Sequence, residues 1–236
     1  MESKKIALVT GANKGIGKAI VKELAHRGII VFLGSRNAER GLMTLAELQH
    51  EGEVYFVQID VTDQQSIEQA YGAIEKQYGH LDILINNAGV AASRKKPGEA
   101  DAEEFRTIYE TNVFGVVSVT NQMLPLLKKS SSARIVNVSS LRGSLGDQGA
   151  FVGQPSISYS SSKTALNALT VHYARELAST QIKVNAAAPG HVATDFNDFH
   201  GTRTPEEGAA IAVKLATLDE DGPTGGFFDD TRAIPW

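Results

Sequence analysis

The sequence KIALVTGANKGIGKAIVKELAHRG, residues 5–28, sets the architecture of the chain. Its first six residues are mostly apolar, which predicts a buried strand over residues 5–10. Residues 15–28 have the periodicity of a helix and end in a glycine, which predicts a helix. The turn between them reads T-G-x-x-x-G-x-G, and small residues there let the backbone turn tightly. A strand, a glycine-rich turn and a helix in this order predict the start of an alternating strand–helix fold.

The same alternation continues along the rest of the chain. Strands that are apolar throughout and alternate with helices imply a parallel sheet covered on both faces. Right-handed crossovers make this an α/β fold with a Rossmann-type, doubly wound sheet. No long linker interrupts the sequence, so we expect residues 1–236 to form a single domain. Further strands are predicted over residues 29–35, 53–60, 81–87, 133–140 and 182–189, with an edge strand over 225–230, and helices over about 37–52, 63–78, 101–129, 158–179 and 204–218.

Polar segments follow six of these strands. They read TGANKGIG, GSRN, DVTD, NNAG, VSS and PGHVATD. Ligands of such sheets bind beyond the carboxyl ends of the strands, so these segments predict one binding edge. Gly11, Gly15 and Gly17 would let the backbone approach a pyrophosphate, and the N–H groups that begin the next helix would bind that anion. The glycine pattern, placed between a strand and a helix, indicates a dinucleotide cofactor.

The end of the second strand indicates which dinucleotide is bound. An acidic residue there would hold a ribose 2′-hydroxyl, but the position carries Ser35, followed by Arg36. Lys14 adds a second cation from the glycine turn, and two cations suit a 2′-phosphate. NADPH is therefore favoured over NADH, unless Glu39 folds back toward the site. Asp60 could accept a hydrogen bond from an adenine amino group, or it could cap the next helix.

The stretch ISYSSSKTALN, residues 157–167, supplies candidate catalytic groups. Tyr159 and Lys163 are four residues apart, so they lie one turn apart on one helix face. An ammonium beside a phenol lowers the pKa of the phenol and makes it a usable general acid for ketone reduction. Ser140 could donate a hydrogen bond to the carbonyl oxygen, although the adjacent Ser139 is a rival for that role. Asn112, taken alone, reads as a buried polar residue in a helix.

These motifs together resemble the short-chain dehydrogenase/reductase family. TGANKGIG, DVTD, NNAG, TNVFG, IVNVSS, YSSSK and PGHVATD follow the family's order over nearly the whole chain. The resemblance implies a catalytic tetrad of Asn112, Ser140, Tyr159 and Lys163. It implies that Asn112 distorts its helix and holds a water that relays protons to Lys163, and that the second serine of the pair is catalytic.

The resemblance also completes the predicted NADPH/NADP+ site. It implies that Lys163 binds the nicotinamide ribose, that Asn86 lines the site, that Pro189 and Gly190 pass beside the nicotinamide, and that Thr194 contacts its carboxamide. The full predicted set is Gly11, Asn13, Lys14, Gly15, Ile16, Gly17, Ser35, Arg36, Asp60, Val61, Asn86, Ala88, Gly89, Tyr159, Lys163, Pro189, Gly190, Val192 and Thr194.

A closer resemblance is to the carbonyl reductase branch of the family, which reduces ketones, aldehydes and quinones with NADPH. Its animal monomers carry a long insertion between the serine and the tyrosine, whereas GDQGAFVGQPSI here is short. We therefore expect a homodimer or homotetramer through the helices around 101–129 and 158–179. Two alternatives are a β-ketoacyl thioester reductase and a non-catalytic NADP-binding redox sensor. The carrier protein of the first alternative would need a basic patch, for which the candidate is the run Arg94, Lys95 and Lys96, although this run also reads as a solvated loop.

The substrate pocket is less well defined by the sequence. The segment after PGHVATD is short, which favours an open pocket and broad acceptance of small-molecule carbonyl substrates. Leu141, Phe151, Phe196 and Phe199 could line it or could be ordinary packing residues. His191 and His200 lack partners at the spacing of metal ligands, so no metal is assigned.

Composition excludes several other classes. The net charge of −4 creates no basic field for nucleic acid or for an anionic membrane. The chain has no cysteine, so disulfides, thiolate catalysis and cysteine metal sites are excluded. No apolar run approaches the length of a membrane span and no signal peptide is recognisable, so we expect a cytoplasmic protein.

Overall fold

The computed structural model describes residues 4–91 and 96–236. Its seven strands form one parallel sheet in the order β3-β2-β1-β4-β5-β6-β7. The strands are β1 (Ile6–Val9), β2 (Ile30–Ser35), β3 (Val54–Gln58), β4 (Ile83–Asn86), β5 (Arg134–Val138), β6 (Lys183–Ala187) and β7 (Phe227–Phe228). The helices are α1 (Gly15–His26), α2 (Ala38–Leu48), α3 (Gln64–Tyr78), α4 (Ala102–Tyr109), α5 (Gly115–Leu127), α6 (Ile157–Glu176) and α7 (Pro205–Ala216). The predicted doubly wound α/β fold is confirmed.

Two apolar layers hold the helices on the sheet. Side chains on one face, including Leu8, pack against α3, α5 and α6. Side chains on the other face, including Val9, pack against α1 and α7. Neighbouring residues of one strand contribute to opposite layers because successive side chains point to opposite faces. Both faces are covered, which is why the strands are apolar throughout.

The strand order places a switch point between β1 and β4. The chain moves from β1 outward to β2 and β3, then returns to the other side of β1 as β4. Val9 is in register with Leu33 on one side and Ile85 on the other, so the turns that follow these strands emerge together. Ligands of doubly wound sheets bind at such a crevice.

The helical segment between β4 and β5 is not a regular α-helix. Residues Glu110–Phe114 form a π-helical turn between α4 and α5. One extra residue in the turn shifts the following helix face, and such bulges are frequent at functional sites. The distortion falls on Asn112, as the family resemblance implied. Within the described residues, no helix combines the length and apolarity needed to cross a bilayer.

Candidate active site

A cavity of about 530 Å³ opens at the carboxyl edge of the sheet, over the switch point. It is lined by segments that follow β1, β2, β3, β4, β5 and β6, together with the start of α6. Most of the residues predicted from the sequence line it, namely Gly11, Asn13, Lys14, Gly15, Ile16, Gly17, Arg36, Asp60, Val61, Ala88, Gly89, Ser140, Tyr159, Lys163, Pro189, Gly190, Val192 and Thr194.

Three of the predicted residues do not line the cavity. Ser35 is buried at the end of β2, where its hydroxyl donates to the carbonyl of Asn37 at 3.0 Å. Asn112 is buried behind the cavity wall. Asn86 was predicted to line the site, and this is wrong: its amide points into the interior and donates to Thr120 at 3.0 Å and to Asn137 at 2.9 Å.

Asn87, which the sequence reasoning missed, lines the cavity instead of Asn86. Its amide nitrogen donates to the carbonyl of Thr10 at 2.9 Å and to that of Gly11 at 3.0 Å. These bonds tie the end of β4 to the glycine turn. Adjacent residues at a strand end point to opposite sides. The sequence pair Asn-Asn therefore predicted that one asparagine lines the site, but it did not show which of the two.

The glycine turn is shaped for close approach of an anion. Gly11 has φ +62°, and a Cβ there would lie 2.7 Å from the Cα of Ala88. Gly15 begins α1 with φ +53°. Among the described residues, no side chain caps the start of α1 and its first turn carries no carboxylate. The amides of that turn are therefore available to an anionic ligand.

A group of cations stands beside the glycine turn. Burial lowers the pKa of Lys14, and the positive charges of Arg40 and then Arg36 lower it further, which indicates that the three cations are close together. Lys14 also forms an ion pair with Asp195 across the cavity. Glu39 is exposed and does not line the cavity. The corner is thus positively charged and suits a phosphate.

Arg40 was missed from the sequence. It lies in the first turn of α2, and its backbone N–H donates to the capping side chain of Asn37 at 2.8 Å. It follows Arg36 by four residues. This spacing across the start of α2 was the sequence feature that could have predicted that both arginines face the same ligand. Asp60 also lines the cavity, but its carboxylate accepts from the N–H and hydroxyl of Thr62 at 3.0 Å and 2.8 Å.

Tyr159 and Lys163 meet at the far end of the cavity. Both lie in the first two turns of α6, and the Lys163 Nζ is 5.7 Å from the centre of the Tyr159 ring. Lys163 is 5% exposed, and its amine donates to the carbonyl of Val138 at 2.8 Å. Burial lowers the pKa of Lys163 to about 8 because the charged form loses its hydration.

The phenol of Tyr159 is less acidic than the sequence predicted. Burial raises its pKa to about 12, and the hydrogen bond from Ser140 and the positive charge of Arg142 only partly oppose that rise. The expectation that Lys163 would lower this pKa is therefore not met in this structure. The phenol is protonated at neutral pH. The ring of Phe196 packs edge-on against it, with the centroids 5.7 Å apart.

The structure separates the two candidate serines. The hydroxyl of Ser139 is buried and donates to Oδ1 of Asn167 at 2.6 Å. Ser140 follows β5, lies beside Tyr159 and lowers the pKa of its phenol through a hydrogen bond. Ser140, and not Ser139, is therefore the hydroxyl that faces the phenol.

Asn112 is 0% exposed and joins three segments. Its Oδ1 accepts from the N–H of Val90 at 2.9 Å, and its Nδ2 donates to the Val90 carbonyl and the Ser162 hydroxyl, each at 3.1 Å. A Cβ on Gly89 would lie 3.3 Å from Asn112 Oδ1 and 3.8 Å from Lys163 Nζ. Gly89 thus separates the asparagine from the lysine, and its lack of a side chain keeps the space beside the amine open.

Comparison with known proteins places this geometry in a family. The sequence model of the short chain dehydrogenases matches residues 5–204. Salutaridine reductase of Papaver bracteatum is 37% identical, over 94% of this chain and 93% of its own. Carbonyl reductase [NADPH] 1 of Homo sapiens is 35% identical, over 98% of each chain.

Solved structures agree with these relatives. A crystal structure of a variant of actinorhodin polyketide ketoreductase with NADPH superposes with a TM-score of 0.84 and 30% identity, over 98% of this chain and 97% of that chain. The family match, the relatives and the fold coincide over the same residues. The chain therefore belongs to the short-chain dehydrogenase/reductase family.

Proposed function

We propose that this oxidoreductase reduces ketones and aldehydes to alcohols with NADPH, and that Tyr159 is the general acid. The observation that carries the proposal is the layout of one cavity. A cationic corner and a glycine turn stand at one end, and a protonated phenol with a serine hydroxyl and a buried lysine stands at the other. Relatives named as carbonyl reductase and salutaridine reductase support the same reaction class.

The residues present fit NADPH. Gly11 takes the positive φ that the turn needs, and the uncapped start of α1 offers amide donors for a pyrophosphate. Arg36, Lys14 and Arg40 would hold the 2′-phosphate, for which guanidinium groups offer paired donors. Asp60, Pro189, Gly190 and Thr194 would contact the adenine and nicotinamide ends. When bound, NADPH supplies the hydride that adds to the carbonyl carbon.

Each residue at the far end of the cavity then has a defined task. Tyr159, protonated at neutral pH, gives its proton to the carbonyl oxygen. Ser140 donates a hydrogen bond to the same oxygen as negative charge develops on it. Lys163 holds the ribose hydroxyls and places a positive charge behind the phenol. Asn112 binds the backbone of Val90 and so positions the residues after β4 beside Lys163. As the family resemblance implies, it would also hold the water that returns protons to the amine.

The cationic corner predicts cofactor preference. We expect kcat/KM with NADPH to exceed that with NADH at least about tenfold, because a hydrogen-bonded charge pair contributes about 1.5–3 kcal/mol. Arg36→Asp should reduce that preference about tenfold or more, since a carboxylate repels the 2′-phosphate and suits a 2′-hydroxyl. The measurement is steady-state kinetics with each cofactor and one ketone.

A control of equal charge change is Lys76→Asp in α3, which is exposed and does not line the cavity. It should leave the cofactor preference unchanged. If Arg36→Asp keeps the wild-type ratio of NADPH to NADH, the assignment of this corner to the 2′-phosphate is wrong.

The pKa of Lys163 predicts a pH dependence. Its amine is charged below pH 8 and neutral above it, because burial lowers its pKa to about 8. Above that pH the neutral amine is a weaker donor to the ribose hydroxyls, and it no longer places a charge beside the phenolate that forms during proton transfer. We expect kcat/KM for reduction of a neutral ketone to be level at neutral pH and to fall as pH rises through about 8. A profile that stays level far above this pH would contradict the assigned role of Lys163.

The β-ketoacyl thioester reductase is a second candidate, favoured by the structural similarity to a polyketide ketoreductase. Arg94 and Lys95 of its proposed docking run lie outside the described residues, and Lys96 is the cap residue before the short 3-10 turn Pro97–Glu99. Comparing kcat/KM for acetoacetyl thioesters and for simple aryl ketones separates the two functions. The sensor alternative predicts cofactor binding without turnover on either substrate. The homodimer or homotetramer also stays a prediction, which light scattering would test.

A further inference from the structure

A cation that has no acidic partner among the described residues borders the reactive end of the cavity. Arg142 lies two residues after Ser140, in the 3-10 turn Leu141–Gly143, and its backbone N–H donates to the Ser140 hydroxyl at 3.2 Å. Its side chain lines the same cavity as Tyr159. Arg142 therefore borders the cavity in which a substrate carbonyl must lie.

The guanidinium group of Arg142 is only partly used by the protein. One N–H donates to the carbonyl of Gln154 at 3.2 Å. Within residues 4–91 and 96–236, Arg142 takes part in no ion pair. Two carboxylates of the surrounding loops already have cationic partners, since Asp147 contacts Arg232 at 2.6 Å and Asp195 contacts Lys14. An arginine has five N–H donors, so most of its capacity is left for a ligand.

The charge of Arg142 lies in mostly apolar surroundings. It also borders a second groove, of about 600 Å³, whose lining is mostly apolar and includes Leu145, Phe151 and Ile157. Arg142 is partly buried, and its positive charge partly opposes the rise that burial causes in the pKa of the Tyr159 phenol. The positive field therefore reaches the reacting end of the cavity, on the side away from the cationic cofactor corner.

We propose that Arg142 binds an anionic group of the substrate, so that the preferred substrates are oxo acids whose carboxylate lies within a few bonds of the reacting carbonyl. Arginine pairs with a carboxylate through two parallel hydrogen bonds, which would fix the orientation of the carbonyl toward Tyr159 and Ser140. The inference rests on the proposed carbonyl reductase function and names the substrate class of that same site.

The test uses matched acids and esters. Benzoylformate and benzoylpropionate are each compared with their methyl esters, which keep the carbonyl and lose the charge. We expect wild-type kcat/KM to be higher for the acids, and Arg142→Met to lower the acid-to-ester ratio about tenfold or more, mainly by raising KM for the acids. Arg142→Lys should restore part of the ratio, because it keeps the charge but not the paired donors.

Two controls separate this role from a structural one. Arg106→Met, on the exposed face of α4, should leave the ratio unchanged. Arg142 could instead act only by holding the loop at Gln154 or by changing the pKa of the Tyr159 phenol. In that case Arg142→Met will lower the rates for acids and esters equally, and the proposal is overturned. It is also overturned if the wild type shows no preference for the acids. Ester reduction by the wild type reports on the carbonyl reductase function itself, so the two failures are distinguishable.

Discussion

Replacing Tyr159 with phenylalanine is expected to lower kcat for ketone reduction by about 100- to 10,000-fold, the range that a positioned general acid contributes. The substitution removes one hydroxyl from a ring that is held edge-on by Phe196, so the packing of the cavity should persist. Affinity for NADPH should change little, because the glycine turn and the cationic corner are untouched. Steady-state kinetics and fluorescence titration with NADPH measure the two quantities.

A matched control lies on the same helix. Tyr173 is also buried on α6, and its hydroxyl donates to Oδ1 of Asn121 at 2.8 Å, away from the cavity. Tyr173→Phe should therefore retain wild-type turnover, although its stability can fall with the lost hydrogen bond. Similar kcat values for the two variants would remove Tyr159 from the mechanism.

The second large effect is expected for Lys163→Met. Turnover should fall by about 100-fold or more, because the variant lacks the charge behind the phenol and the donor for the ribose. Affinity for NADPH should fall as well, which distinguishes this variant from Tyr159→Phe. Steady-state kinetics and cofactor titration check both expectations.

We expect Lys163→Met to lose activity without a matching loss of stability. Lowering the pKa of Lys163 from 10.5 to about 8 means that the charged amine costs the folded state about 3 kcal/mol at neutral pH. Methionine removes that cost but leaves the Val138 carbonyl without its donor, a loss of about 1–3 kcal/mol. The two effects nearly offset, so thermal denaturation should give a melting temperature close to that of wild type.

Lys128→Met, an exposed change at the end of α5, is the control and should preserve activity, cofactor affinity and stability. If Lys163→Met unfolds at a much lower temperature, its lost activity reports damage to the fold and the role of its amine in catalysis is not supported. If it turns over at the wild-type rate, that role is wrong.

Regular features of the fold and site were predictable because they follow from local chemistry. Apolar runs predicted the strands. The glycines at positions 11 and 15 predicted the turn, and both take the positive φ that favours glycine. The four-residue spacing of Tyr159 and Lys163 placed them on one helix face. The sequence order of motifs also located the π-helical distortion at Asn112, although only through family resemblance.

Other features depend on tertiary packing and were not readable. The choice between Asn86 and Asn87 depends on which way β4 ends. The choice between Ser139 and Ser140 came only from the family resemblance, since it depends on the position of Asn167. The raised pKa of Tyr159 depends on how deeply the phenol is buried, which no spacing encodes.

Two arginines show the same limit. Arg40 joins the cationic corner only because α2 begins at Ala38 and its first turn faces Lys14. Arg142 reaches the cavity because a 3-10 turn follows Ser140. In both cases the residue type was visible in the sequence, but the direction of the side chain was set by a turn geometry that the sequence pattern leaves open.

The acidity of the Tyr159 phenol can be changed without removing its hydroxyl, by incorporating ring-fluorinated tyrosines at position 159. In single turnovers at neutral pH, with ketone and NADPH both saturating, we expect the rate of reduction to rise as the phenol becomes more acidic, because proton transfer to the carbonyl oxygen follows Brønsted behaviour. A rate that does not change with phenol acidity would contradict the assignment of Tyr159 as the proton donor.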